Sequence, residues 1–304
     1  MRKLFGALSL TCLLSLAAFV PAASAATLSN AKVVIIVGPV EGSTPSYISD
    51  ANSTAVIARQ YSSNVVTLYS PNATWAKVEP ALQGAAIVVY FGHGNGWPSP
   101  YTPFQENTKD GIGLNAASGA GNSNVKYYGA NYLEQSIKLA PNAVVILGHL
   151  CYSAGNSEAQ NPAPTLIVAE QRVDNMAAGW LQTGARAVIS EPYSNEAGWY
   201  IQGLFTTNES INVLWQAALN SNHNVQSWTS VRNSWAAVQL DPNPHALGNE
   251  HFNRAISGDM NLLTQSVVGI PISSPFGQVT LSGAGGTRVV GGSVRLRTAG
   301  PQAR

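Results

Sequence analysis

The sequence predicts an α/β protein in which a mostly parallel β-sheet is sandwiched between helices. Short runs rich in β-branched residues, each bounded by turn residues, recur along the chain and are typical of strands buried on both faces. Stretches of helical character separate these runs, and such alternation indicates βαβ units. Hydrophobic residues make up 45% of the 304 residues, so the chain has material for a sizeable core and is not a disordered protein.

Five buried strands are predicted from the apolar runs. The first run, KVVIIV, ends at a Gly-Pro turn, and the third and fourth, AIVVYF and AVVIL, contain no charged residue. Their lengths of five or six residues fit strands better than helices. In chain order, the predicted strands cover 32–37, 65–69, 86–91, 143–147 and 185–190.

Capping and breaking residues delimit the predicted helices. Asp50 is placed to open the first, Gly84 to close the second, and Pro141 to stop the third. The long loop 92–129, rich in Gly, Asn, Pro and Ser, is expected to hold a hairpin near Ile112 and Tyr127. In chain order, the predicted helices cover 50–61, 75–82, 130–139, 165–183, 196–205 and 210–221.

The first 25 residues are typical of a signal peptide. Arg2 and Lys3 precede an apolar run over 4–20, and Ala-Ser-Ala follows at 23–25 as a cleavage site. A retained membrane anchor is the alternative, but an apolar run of about 17 residues fits a removed signal better. We therefore expect a protein that is secreted or held in the cell envelope, without membrane contact after signal removal.

The remaining chain is expected to form one α/β domain over 26–264. From about Ser266 the composition changes to alternating Val, Thr, Gly and Ser, so 265–304 is predicted to be a β-rich or disordered tail. Charged residues amount to 10% and the formal net charge is +1, which leaves no basic surface to attract nucleic acid.

Two reactive side chains follow neighbouring strands of the predicted sheet. His93 comes directly after the third strand and Cys151 shortly after the fourth. Because reactive residues of such sheets lie beyond the carboxyl ends of the strands, we expect the two to share a site. The histidine would take the thiol proton and lower the thiol pKa, and the backbone N–H groups of Gly94 and Cys151 would form an oxyanion hole. A loop histidine and a packed cysteine are the alternative.

These motifs resemble the caspase, gingipain and legumain group of cysteine peptidases. That group has a hydrophobic strand ending in His-Gly and a later hydrophobic strand that ends shortly before the nucleophilic cysteine. The matching segments here are AIVVYFGHG at 86–94 and VVILGHLC at 144–151. CYSAG at 151–155 is similar to the Cys-x-Ser-Gly-Gly run of bacterial caspase-like members, and ISGD at 256–259 to the Gly-Asp-Pro stretch of gingipain-like proteins.

The resemblance covers about 32–263 and implies a caspase-like fold, a His93–Cys151 dyad and a peptide or protein substrate. No cofactor is expected. The chain departs from the group at His149 and Leu150, where relatives commonly carry Asp-Ala, and at Met260, where they carry proline. The basic-side-chain selectivity that this aspartate supports in some relatives is therefore not carried over.

Four further residues are candidates for the substrate pocket. Glu191 follows the fifth strand and Asp110 lies in the loop after His93, so either could select Arg or Lys. His149 could tune the thiol or line the pocket, and Trp97 could form a wall of it. Zinc bound by His93, His149 and Cys151 is disfavoured, because no CxxC or HExxH motif accompanies them.

Three functions remain open at this point. They are an exported cysteine peptidase, a catalytically inactive caspase-like binding module at the cell surface or outside the cell, and another thiol-based hydrolase or transferase. The chain has no Gly-x-Ser-x-Gly elbow, GxGxxG motif or phosphate loop, which disfavours serine hydrolases and nucleotide enzymes. Carbohydrate binding is disfavoured because the 7 Trp and 11 Tyr residues are scattered.

Overall fold

The computed structural model describes residues 28–158 and 161–269, together with two short strands near the C-terminus. The predicted signal peptide lies outside the described residues. The β-branched runs form strands as expected, and further short strands follow them along the chain. In chain order, the strands are β1 Val33–Val37, β2 Val65–Tyr69, β3 Ile87–Phe91, β4 Gly94–Asn95, β5 Gly111–Asn115, β6 Val125–Tyr128, β7 Ala143–Gly148, β8 Ala185–Glu191, β9 Gln226–Thr229, β10 Ala237–Leu240, β11 Ala255–Gly258, β12 Ser282–Gly283 and β13 Gly286–Thr287.

The helices connect most of the parallel strands. Thr165 and Ser210 each accept a hydrogen bond from a first-turn N–H and thereby cap the fourth and sixth helices. In chain order, the helices are α1 Thr44–Tyr61, α2 Trp75–Leu82, α3 Ala130–Ser136, α4 Leu166–Gln182, α5 Ala197–Thr206, α6 Ile211–Gln216 and α7 Thr264–Val268.

The central sheet has eight strands in the order β2-β1-β3-β7-β8-β11-β10-β9. The first five are mutually parallel, and the last three join antiparallel to their neighbours. β4, β5 and β6 form a separate antiparallel sheet of three strands. The predicted fold class, a mostly parallel sheet between helices, is therefore confirmed.

Alternate residues of the parallel strands face the two helical layers. Val33, Ile35 and Val37 of β1 are buried in a core with α1, α5, α6 and α7. Val34 and Ile36 are buried in a second core with α2, α3 and α4. Because successive strand residues point to opposite faces, a continuous run of apolar residues is what a doubly covered sheet requires.

Three differences separate the structure from the sequence-based expectations. α1 begins at Thr44 instead of residue 50, because Pro45 fits the first helical turn, where its missing N–H costs no hydrogen bond. α3 and α6 are shorter than predicted. The antiparallel strands β9, β10 and β11 were not expected. The predicted hairpin is confirmed, with Ile112 opposite Tyr128 and Gly113 opposite Tyr127.

Part of the predicted tail lies within the described residues. α7 packs against α5, and its residues Val267 and Val268 are buried in the first core. β12 and β13 pair with each other as a short antiparallel hairpin. The domain boundary at residue 264 stays a prediction, and the rest of the tail lies outside the described residues.

A fully buried arginine joins the antiparallel strands to the parallel part of the sheet. Arg254, just before β11, donates from Nη1 to Asp241 Oδ2 at 2.7 Å and from Nε to Glu191 Oε1 at 3.2 Å. Its Nη2 donates to the carbonyl of Trp215 at 2.6 Å and to the hydroxyl of Tyr200 at 3.3 Å. This network gives both buried carboxylates a cationic partner, as charges removed from water require.

Replacing Arg254 by methionine is expected to lower the free energy of unfolding by about 3–5 kcal/mol, because two buried carboxylates lose their cation. Urea unfolding followed by circular dichroism measures this change. Arg186→Met is the control, since the Arg186–Asp259 pair is partly exposed and such pairs contribute about 1 kcal/mol or less. An equal loss of unfolding free energy in the two variants would contradict the stabilising role of the Arg254 network.

Candidate functional site

His93 and Cys151 lie at the carboxyl edge of the sheet, beyond two strands that are hydrogen-bonded neighbours. β3 and β7 pair in parallel, with Phe91 opposite Gly148 at their ends. His93 is two residues past the first of these and Cys151 three residues past the second. The parallel register therefore brings the two predicted residues to one edge.

The loops that carry the two residues touch along their backbones. A Cβ atom added at Gly94 would lie 2.1 Å from the carbonyl oxygen of Cys151. One added at Gly96 would lie 2.3 Å from Cβ of Tyr152. Only glycine permits such approaches, so the Gly-rich sequence after β3 serves to bring the His93 loop against the Cys151 loop. The use of the Gly94 and Cys151 N–H groups as an oxyanion hole stays a prediction.

Glu41 is a site residue that the sequence reasoning missed. Its carboxylate oxygen Oε2 lies 3.1 Å from Nε2 of His93. Glu41 begins the short 3-10 turn Glu41–Ser43 after β1, where no motif marks it in the sequence. A proton on Nε2 bonds to this carboxylate and leaves Nδ1 of His93 as the proton acceptor.

Unusual backbone conformations cluster around these residues. Among the described residues, six non-glycine residues have positive φ, and three of them lie beside His93 or Cys151. Glu41, which contacts His93, has a φ of 41°, and His149 and Tyr152, which lie within two residues of Cys151, have φ of 54° and 71°. Left-handed conformations of residues other than glycine are costly and persist where the surrounding structure imposes them, typically at functional sites.

The environment of Cys151 favours the neutral thiol. Burial raises the pKa of Cys151 to about 11, and the negative charge of Glu158 raises it further, while its own backbone N–H opposes the change. The expectation that His93 lowers this pKa is therefore wrong. The thiol is protonated at neutral pH and must lose its proton during a reaction, which makes a base beside it necessary.

Alkylation measures this property directly. We expect the rate of iodoacetamide modification of Cys151 to be far below that of free cysteine at pH 7 and to rise up to about pH 11, because the thiolate is the reacting form. Glu158→Gln should shift the profile to lower pH, since it removes a negative charge. A profile centred between pH 6 and 7 would contradict the structure.

His149 packs on helix α1. Its ring stacks on Tyr47 at a centroid distance of 4.5 Å, and its Nε2 lies 3.2 Å from Oδ2 of Asp50. His93 and His149 therefore face different carboxylates. Among the described residues there is no group of three or more His, Cys, Asp or Glu side chains arranged to hold a metal ion.

Glu191 does not have the place expected of a residue that selects basic substrates. Its carboxylate is buried and accepts hydrogen bonds from Arg254, Tyr200 and Asn220. Its carbonyl oxygen accepts the backbone N–H of His149 at 3.1 Å. Glu191 therefore fixes the loop that carries Cys151 instead of facing a substrate, because its acceptor groups are already used inside the protein.

Asp110 and Trp97 are joined by a hydrogen bond. Oδ1 of buried Asp110 accepts the backbone N–H of Trp97 at 2.7 Å. Burial raises the pKa of Asp110 to about 7, against the opposing effects of this hydrogen bond, Arg232 and Lys109. The ring of Trp97 lines a cavity of about 530 Å³ together with Phe104 and residues of α4. Asp110 thus organises this loop from within.

Asp110 makes stability depend on pH. Its ordinary pKa is 3.8, so between about pH 4 and pH 7 the folded protein binds its proton more tightly than the unfolded chain. Its contribution to the free energy of unfolding therefore falls as pH rises through this window and is constant above it. Urea unfolding at pH 5 and pH 8 should show a smaller loss in Asp110→Asn. Identical pH slopes in both proteins would disprove this.

A second cavity, of about 510 Å³, is lined by residues of the loop after His93 and by Glu158. Glu158, whose charge raises the pKa of Cys151, forms part of its wall, and so does Tyr127. A Cβ at Gly113 would lie 3.2 Å from Cβ of His93 and 3.3 Å from a ring carbon of Tyr127, so these two residues flank the same glycine. The cavity is therefore formed by segments that follow His93 and Cys151 in the chain, and neither of these two residues lines it. Its other lining residues are Asn95, Tyr101, Thr102, Pro103, Gln105, Thr108 and Lys109.

The described residues form an α/β protein in which His93 and Cys151 lie on touching loops at the carboxyl edge of a mostly parallel sheet. No family model matches the sequence, and no curated protein matches it. Among solved structures, the chain is similar to the Arg-specific cysteine proteinase gingipain R, with 13% sequence identity and a TM-score of 0.32. The similarity covers 70% of this chain and 56% of that one, so the chain spans little more than half of that proteinase.

Among the helices of the described residues, none is both long enough and apolar enough to cross a membrane.

Proposed function

We propose that the protein is an exported cysteine peptidase in which Cys151 is the nucleophile and His93 the general base. The main support is the contact between the two strand-end loops, where Gly94 lies against the carbonyl of Cys151. A nucleophile and a base on touching loops at the carboxyl edge of a parallel sheet are the minimum that thiol-based acyl transfer needs. The expectation of export rests on the signal-like segment 1–25.

The raised pKa of Cys151 determines the order of proton transfers. As Sγ attacks the peptide carbonyl carbon, its proton passes to Nδ1 of His93. The tetrahedral oxyanion would accept hydrogen bonds from the N–H groups of Gly94 and Cys151. The C–N bond then breaks, His93 protonates the leaving amine, and a thioester remains. Water, deprotonated by His93, hydrolyses the thioester, releases the acid and restores the thiol.

In this mechanism Glu41 is a positioning residue. Its hydrogen bond to Nε2 holds the imidazole in one orientation and stabilises the imidazolium that forms during the attack. The exposed position of Glu41 limits the strength of that interaction, because water screens it. Its effect is therefore expected on kcat and on the pH profile instead of KM.

A catalytically inactive binding module is the second candidate. One specific observation favours it: burial raises the pKa of Cys151 to about 11, whereas many catalytic cysteines have a lowered pKa. In that case the site around His93 and Cys151 would bind peptides without cleaving them.

Peptide cleavage by variants separates the two functions. With a fluorogenic peptide library, Cys151→Ala should abolish turnover and His93→Ala should lower kcat roughly 10²–10⁴-fold, because each removes a reacting group. Glu41→Gln should lower kcat about tenfold with little change in KM, as expected for a group that acts through the base. His245→Ala, in an exposed loop, is the matched control and should be unchanged. Peptide binding without cleavage by the parent protein would favour the binding module.

A further inference from the structure

Lys109 is a buried lysine in the wall of the 510 Å³ cavity described above. It has 4% of its surface exposed. Its Nζ donates to Oδ1 of Asn95 at 2.8 Å and to Oγ of Ser99 at 3.0 Å. The same atom lies 5.6 Å from the ring centroid of Tyr101 and 6.0 Å from that of Trp97. All of these partners are uncharged.

Among the described residues, no carboxylate lies within ion-pair distance of Lys109. Lysines are almost never fully buried unless paired, because a buried ammonium loses its hydration. Burial accordingly lowers the pKa of Lys109, against the effects of Asp110 and Glu158. An ammonium has three donors and two are used here, so one remains for a further acceptor.

The cavity that Lys109 lines is formed by segments that follow His93 and Cys151 in the chain. Asn95, whose Oδ1 accepts a hydrogen bond from its Nζ, is two residues after His93 in the chain. Tyr127 and Glu158 line the same space; Tyr127 flanks Gly113 together with His93, and the charge of Glu158 raises the pKa of Cys151. A peptide whose carbonyl carbon lies at Cys151 could extend a neighbouring group along these segments into this cavity.

Glu158 brings the opposite charge to the same cavity. Its Oε2 accepts the hydroxyl of Tyr101 at 2.6 Å and Nδ2 of Asn161 at 3.3 Å. Tyr101 therefore contacts both charges, with its hydroxyl on Glu158 and its ring on Lys109. A negative group that enters the cavity meets the ammonium as its attractive partner and Glu158 as a repulsive one.

We propose that this cavity is a substrate subsite in which Lys109 binds a carboxylate of the peptide, supplied by an acidic side chain or by the chain terminus. The proposal rests on the proposed peptidase function and defines its substrate class. It reverses the expectation of Arg or Lys selection, because Glu191 and Asp110, which were to select basic side chains, have internal partners. Lys109 is the cation of this cavity wall, since its other lining residues are neutral apart from Glu158.

Binding to a Cys151→Ala protein tests the subsite independently of turnover. The probes are acetylated pentaalanine peptides, amidated at the C-terminus, with Glu or Gln at the centre, and acetylated pentaalanine with a free C-terminus. Calorimetric titration should show at least about tenfold tighter binding of the Glu peptide than of the Gln peptide if a side chain supplies the carboxylate. Preference for the free C-terminus alone would assign the carboxylate to the chain end. Equal affinity for all three peptides overturns the proposal.

Variants of Lys109 and Glu158 provide a second test in the same binding experiment. Lys109→Met should remove the preference for the carboxylate, whereas Lys126→Met, which removes an exposed lysine, should preserve it. Glu158→Gln should strengthen binding of the carboxylate peptide, because a like charge is lost, and it tests the cavity even if Lys109→Met fails to fold. A preference unchanged in folded Lys109→Met, or unaffected by Glu158→Gln, contradicts the assignment.

Cleavage of the same peptides by the parent protein distinguishes failure of the subsite from failure of the proposed function. Faster cleavage of the carboxylate peptide, by about tenfold in kcat/KM, supports both. Cleavage without discrimination overturns the subsite and leaves the peptidase function intact. Lys109-dependent binding without any cleavage supports the subsite and overturns the peptidase function.

Discussion

The buried ion network around Arg254 holds the parallel and antiparallel parts of the central sheet together. One guanidinium connects residues from α5, α6, the end of β8 and the segments beside β10 and β11, so the two parts of the central sheet cannot separate without exposing unpaired charges. The same network reaches the reactive edge, because the carbonyl of Glu191 accepts the N–H of His149. Cys151 follows His149 by two residues in the chain. The hydrogen bond from His149 to Glu191 thus links the Cys151 loop to the buried ion network.

Much of the sheet could be predicted because its parallel strands are buried on both faces. Such strands need continuous apolar runs, and the runs at β1, β3 and β7 can be recognised from the sequence alone. β9 and β10 are different: their sequences, QSWT and AVQL, are short, partly polar and only half-buried, so no run marks them. β11 is fully buried, but its sequence, AISG, is too short to stand out. These strands exist because tertiary pairing and Arg254 hold them, which is information that local sequence does not contain.

The residues of the candidate site, like the strands, could be predicted only in part from the sequence. His93 and Cys151 could be found because strand ends are visible in sequence and parallel topology relates them. Glu41 could not be found, since its contact with His93 links residues 52 positions apart through a short turn. The direction of the Cys151 pKa shift depends on burial and on Glu158, neither of which a motif encodes. Glu191 follows a strand like the others, yet the ion network takes its carboxylate inward.

The neutral state of Cys151 has a consequence for chemical durability. Peroxide and disulfides react with thiolates, and sulfenic acid formation follows thiolate character and exposure. A half-buried thiol with a pKa of about 11 is ionised in only a minute fraction of molecules at neutral pH. A thiol in this state reacts slowly with peroxide and with disulfides, because the reacting form is scarce. The burial that raises its pKa therefore also slows the oxidation of Cys151.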